Sequence, residues 1–142
     1  MPALKELGYN GVEVPLKAVL CYGLEAFKAL LAENDLEVIP MVFTDGVVAP
    51  GEGVVFGGPY PGYTRPSQPG DSDKGLLVET HLTVFKEQVL TAVNDLGAAK
   101  VTVHSLKDYF TPVMAHNFYA RALAWTKEMG YPEDLVLHET HR

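Results

Sequence analysis

The chain has 142 residues, a formal net charge of −7, and a composition that is 47% hydrophobic and 20% charged. That length is enough for one domain with a real core, and the apolar fraction excludes a disordered chain. The acidic balance argues against a broad nucleic-acid-binding face, which needs clustered Lys and Arg. A small basic pocket stays compatible with it. No apolar run approaches the ~18 residues of a membrane span, so no membrane partner is expected. Nothing at the N-terminus reads as a signal peptide. Cys21 stands alone, so an intramolecular disulfide is excluded. The cytoplasm is the default location, with organellar targeting left open because the N-terminus reads as incomplete.

In chain order, Gly11 to Val14 is a short strand. From about Tyr22 to Glu33, Leu24, Phe27 and Leu31 fall at helical spacing, and Asn34-Asp35 breaks the pattern. Glu37 to Thr44 is the second strand, with Pro40 discordant because proline cannot donate to a sheet ladder. From Thr80 to Leu96, Leu82, Phe85, Val89 and Val93 repeat at steps of three and four, and Gly97 terminates the helix. Lys100 to His104 is the third strand. Thr111-Pro112 starts a helix, since threonine caps free N–H groups and proline suits the first helical position. Met114, Phe118, Ala122, Trp125 and Met129 line one face of it, and Gly130 ends it. Leu135 to Glu139 is the fourth strand.

Strands separated by helices imply parallel pairing with right-handed crossovers. The fold class is therefore α/β, either a doubly wound sheet or a piece of a (β/α)8 barrel. Asp45 to Glu79 differs from the rest. Between Gly46 and Gly75 lie eight of the thirteen glycines and five of the ten prolines. That stretch reads as an irregular loop, a lid or an insertion. There is no internal repeat and no linker between two domains.

In a parallel sheet all strands end at one edge, and ligands bind there. Side chains alternate faces along a strand. Glu13, His104 and Glu139 can therefore share one face while the intervening valines pack on helices. Thr44-Asp45 ends the second strand at the same edge. Carboxylate oxygen and neutral imidazole nitrogen are common ligands for Mn, Zn and Mg-type ions, and such an ion polarises a substrate carbonyl or hydroxyl. Arg142 can hold a phosphate or carboxylate by a forked pair of hydrogen bonds. Each residue has a plainer competing role. Glu139 can be a solvated carboxylate, His104 a hydrogen-bonded core histidine, and Glu13 the partner of a nearby lysine. Asp108 can be a turn residue, and His141 and Arg142 a frayed terminus. His138 is expected to face away from Glu139 and to pack. His81 is expected to be solvated at a helix start, and His116 has no expected role.

Three segments resemble the xylose-isomerase-like (β/α)8 barrels, which include sugar and sugar-phosphate isomerases and epimerases and the metal-dependent apurinic endonucleases. The first, Leu4-Lys5-Glu6-Leu7-Gly8-Tyr9-Asn10-Gly11-Val12-Glu13-Val14, resembles the end of the family's first helix and its second strand. The second, Leu96-Gly97-Ala98 to Val103-His104-Ser105, resembles the third helix running into the fourth strand. The third, Leu137-His138-Glu139, resembles the fifth strand, where the family places a metal-binding glutamate. The ending His138-Glu139-Thr140-His141-Arg142 is similar to a sugar-phosphate isomerase/epimerase subgroup.

The resemblance implies a divalent cofactor (Mn, Mg, Zn or Co) held by Glu139 and His104, which are also the implied catalytic pair. It implies that Glu13 lines the pocket and that His141 and Arg142 contact a small sugar or sugar-phosphate substrate. Asp108, in the turn after the fourth-strand equivalent, is a further candidate for substrate contact.

The departures are specific. The family's aspartate, histidine and second glutamate on the sixth, seventh and eighth strands have no counterpart here. The chain also begins without the first strand. Leu106 stands where related sequences often have glycine, and the Asp45–Glu79 loop is long. The expectation is one partial barrel domain over residues 1–142, lacking the first strand and the last three and inactive alone. Two alternatives stand beside it: a non-catalytic α/β domain that self-associates as a homo-oligomer and binds an anion, and an apurinic-site endonuclease-like protein, which the acidic balance disfavours.

Overall fold

A computed structural model of the chain describes residues 2–44, 74–104 and 111–139. Its elements in order are α1 (Pro2–Glu6), β1 (Gly11–Pro15), α2 (Leu16–Tyr22), α3 (Leu24–Glu33), β2 (Glu37–Phe43), α4 (Lys74–Leu90), a π-helical turn (Thr91–Asp95), β3 (Val101–His104), α5 (Pro112–Glu128) and β4 (Val136–Glu139). The four strands form one parallel sheet in the order β1-β2-β3-β4.

That monotonic order has a consequence. Right-handed crossovers between successive neighbours place each connecting helix on the same face of the sheet. A doubly wound sheet reverses its strand order to cover both faces, and the described strands do not reverse. The core agrees. Val42, Val101 and Val103 from the sheet are buried together with Leu16 and Val19 of α2, Phe27 and Leu31 of α3, Leu82, Phe85 and Val89 of α4, and Met114, Phe118 and Ala122 of α5. Val12, Val14, Val38 and Val136 pack against the same cluster. These strand residues alternate with Glu13, Ile39, Met41, Phe43, Thr102, His104, Leu137 and Glu139, which therefore occupy the opposite face.

Pro40 is accommodated by its position. The β2–β3 register begins at Met41 opposite Thr102, and Thr44 N–H donates to the His104 carbonyl at 3.3 Å. Counting back in twos from Thr44, the missing donor of Pro40 faces β3 just before that strand starts. The proline costs no ladder bond there.

The helix ends follow local chemistry. The Thr111 side chain accepts from Met114 N–H at 3.3 Å, with Pro112 at the first helical position, as the sequence predicts. Gly130, at φ +70°, reverses the chain after α5. Its N–H donates to the Lys127 carbonyl at 3.0 Å, and Tyr131 N–H donates to the Thr126 carbonyl at 3.1 Å. Together these form the paired Schellman arrangement.

Two boundaries differ from expectation. The predicted helix from Tyr22 to Glu33 corresponds to α3, while Leu16–Tyr22, unassigned from sequence, forms a separate helix α2 that Gly23 at φ +102° divides from α3. The predicted loop ending at Glu79 is too long at its C-terminal side, since α4 already begins at Lys74. There Glu79 forms a forked ion pair with Arg121 of α5, with Arg121 Nη2 2.9 Å from Oε2 and a second, shorter contact between Nη1 and Oε1. The arginine holds the Glu79 carboxyl below the ordinary carboxylate range. The pair ties the two helices together at an exposed position, where such bridges contribute little to stability.

Candidate strand-end site

The register sorts the face opposite the described helices into rows. Glu13 lies opposite Ile39. One step nearer the carboxyl edge, Pro15, Met41, Thr102 and Leu137 form a row, and Phe43, His104 and Glu139 form the last one. Three successive strands thus end with an aromatic ring, an imidazole and a carboxylate side by side.

Within that last row the contacts are close. His104 Nε2 lies 3.1 Å from Glu139 Oε2. The imidazole side chain is 15% exposed and the carboxylate 48%, so the pair has one shielded member and one open to solvent. On the other side, the Phe43 ring stacks on the His104 ring with centroids 4.6 Å apart and planes inclined by 13°. Parallel pairing on the two sides of β3 makes this sandwich possible, because it places the three side chains at the same height.

Glu13 sits lower on the same face. Its carboxylate reaches across β2 and accepts from the Thr102 hydroxyl, with Oγ1 2.5 Å from Oε1. That length is typical of a hydroxyl donating to a charged carboxylate. The structure therefore brings His104 and Glu139 together and holds Glu13 to Thr102 one row below. Sequence reasoning missed Thr102 and Phe43. Alternation along Val101-Thr102-Val103-His104 was a usable signal for the threonine. The apolar run Val38-Ile39-Pro40-Met41-Val42-Phe43 carries no alternation that assigns Phe43 to a face.

The other two histidines of interest lie on the helix face. His81 is 0% exposed, not solvated as expected, and its Nδ1 is 2.7 Å from the Thr44 hydroxyl. Thr44 ends β2 but points into the helix layer, so it does not join His104. The buried hydroxyl and ring nitrogen satisfy each other, as buried polar groups generally must. His138 packs among Phe85, Phe118 and Tyr119, with ring centroids 5.8, 6.4 and 5.1 Å away. Glu139, the next residue, faces the opposite way.

Burial lowers the His138 pKa from its ordinary 6.5, because the apolar surroundings disfavour the charged ring. The unfolded chain binds a proton as pH falls through that ordinary value, while the folded chain resists until a lower pH. Stability is therefore complete above the ordinary value, declines between it and the folded value, and levels off below. Urea midpoints measured across that window should fall with acid in the native chain. His138→Phe should remove this part of the decline; an unchanged slope would assign the acid sensitivity to other groups.

Asp45, Asp108, His141 and Arg142 lie outside the described residues. Among the described residues, no group of three or more His, Cys, Asp or Glu side chains is arranged to hold a metal ion, so the strand-end cluster presents two candidate donors. No helix among them is long and apolar enough to cross a membrane. No protein-family model, curated protein or solved structure matches the chain.

Proposed function

We propose that this chain carries part of the metal site of a sugar or sugar-phosphate isomerase or epimerase built on a xylose-isomerase-like (β/α)8 barrel. The observation that carries this reading is the His104–Glu139 pair, at the carboxyl edge of the sheet face opposite the described helices. In a barrel of parallel strands that face is the interior and that edge is where the chemistry sits. The monotonic strand order and the single helix layer support the same architecture.

The pair fits two corners of a cation site. Metal–nitrogen and metal–oxygen bonds near 2.1 Å hold adjacent ligands about 3.0 Å apart at right angles and about 3.4 Å apart at the tetrahedral angle. The observed separation is 3.1 Å, which falls in that range and is equally that of an ordinary imidazole–carboxylate hydrogen bond. The donor set of one imidazole and one carboxylate suits Mn, Zn or Co, and Mg less well. A bound divalent ion supplies Lewis acidity toward a substrate carbonyl or hydroxyl during a proton or hydride shift between adjacent carbons. His104 and Glu139 hold and orient, with Thr102 one row below and Glu13, which accepts from its hydroxyl, one row further down. Two donors are fewer than the four to six such ions take, about that number in most sites. The remaining donors come from outside the described residues, where Asp108, His141 and Arg142 are candidates for substrate contact.

The test is the reading frame that contains this chain and the protein it encodes. Asp, His and Glu at three later strand ends are expected. With Mn2+ in deuterated water, that protein should interconvert an aldose and ketose, or their phosphates, with deuterium or hydride transfer visible by NMR. No turnover of any such pair, together with no further strand-end ligands, would overturn the reading.

A second reading is a non-catalytic domain that self-associates and takes an anion. It draws on Leu137, 43% exposed on the face of β4 opposite the described helices; β4 pairs with β3 alone among the described strands. Sedimentation that finds a monomer at every concentration would remove it.

A further inference from the structure

We propose that Phe43 is a positioning residue that fixes the plane of the His104 imidazole and so confines any bound cation to the β3–β4 side of the row. The ion in this inference rests on the metal reading above; the hold on the ring does not.

An imidazole nitrogen offers its lone pair only in the plane of the ring. Whatever sets that plane therefore sets the direction from which an ion can be bound. The Phe43 ring lies almost parallel to the imidazole, inclined by 13° at 4.6 Å between centroids. Rotation of His104 about its ring torsion would drive an imidazole edge into the phenyl face. The register removes the other freedom, because Phe43 and His104 are direct partners across the β2–β3 ladder. With the plane held, Nε2 stays within 3.1 Å of the Glu139 carboxylate, its direct partner across the β3–β4 ladder. The β2 side of the imidazole is at the same time closed by a hydrocarbon surface that offers no donor. Further ligands must then approach from the β4 side or from above the row.

The experiment uses the isotopically labelled 142-residue chain and reads the His104 ring resonances in the native protein, Phe43→Leu and Phe43→Tyr. Stacking under a phenyl ring should displace the His104 ring protons in the native chain and in Phe43→Tyr. The displacement should be lost in Phe43→Leu, with the fold checked by circular dichroism. Zn2+ is then titrated against the same resonances. Phe43→Leu should weaken binding by roughly 3- to 10-fold, in the range of a lost aromatic pair, and Phe43→Tyr should restore it. Unchanged ring shifts in Phe43→Leu, or equal Zn2+ affinity in all three chains, would overturn the proposal. If the native chain takes up no Zn2+, the ring shifts alone decide whether Phe43 holds His104, and the metal reading is decided on the longer protein that supplies the remaining donors.

Discussion

Replacing Phe85 with alanine should cost about 3–5 kcal/mol, the range for removing a buried aromatic side chain. Phe85 is 0% exposed and stands where α4, α5 and β4 meet. Its ring packs edge-on against Phe118 at 5.9 Å and Trp125 at 5.5 Å, and lies near-parallel to His138 at 5.8 Å. The void left by alanine would be lined by rings from two other elements, α5 and β4, and none can collapse into it without leaving its own contacts. Against a total stability of about 5–15 kcal/mol for an ordinary domain, a loss of that size is a large share of the whole. Urea unfolding followed by far-UV circular dichroism measures it. A change below about 1 kcal/mol would mean that the helix layer does not pack on the sheet as described.

The second large effect is at the site. Glu139→Ala should lower the affinity for Mn2+ or Zn2+ at least about tenfold, since even the loss of an outer-sphere partner costs that much. Glu139→Gln should lose nearly as much, because the amide keeps the shape but not the charge. The carboxylate is half exposed, so the fold should tolerate both changes. His104→Ala removes the other donor and also unstacks Phe43, so its loss of affinity should be accompanied by a small loss of stability. The two effects are separable by comparing urea midpoints with titration curves.

Much of this arrangement is legible from the residues, and the exceptions have physical causes. Val101-Thr102-Val103-His104 alternates cleanly, so both the strand and the face of His104 follow from period two. Thr111-Pro112 and Gly130 carry their capping chemistry in their own side chains and backbones. The helix Leu16–Tyr22 is less legible. It follows Val-Glu-Val-Pro without a polar interval, and its apolar residues read as a continuation of the strand. Gly23 between two helices looks like an ordinary helical glycine until its positive φ is known. His81 illustrates a different limit. Whether a histidine near a helix start is solvated depends on what the helix meets, and here Thr44, 37 residues away, supplies the partner. Phe43 has the same difficulty in a strand, since a run that is apolar on both faces hides which residue faces the site. The barrel itself belongs to the proposal: four parallel strands in monotonic order are compatible with it and do not close it.

The central claim is that His104 and Glu139 are the two corners of one divalent-cation site. Paramagnetic broadening by Mn2+ tests it most directly, because it locates even weak binding residue by residue. Substoichiometric Mn2+ added to the labelled chain should first broaden the resonances of His104, Glu139, Phe43 and Thr102, and Glu139→Ala should abolish that focus. Broadening spread over the exposed acidic residues, or centred anywhere other than this strand end, would contradict the claim.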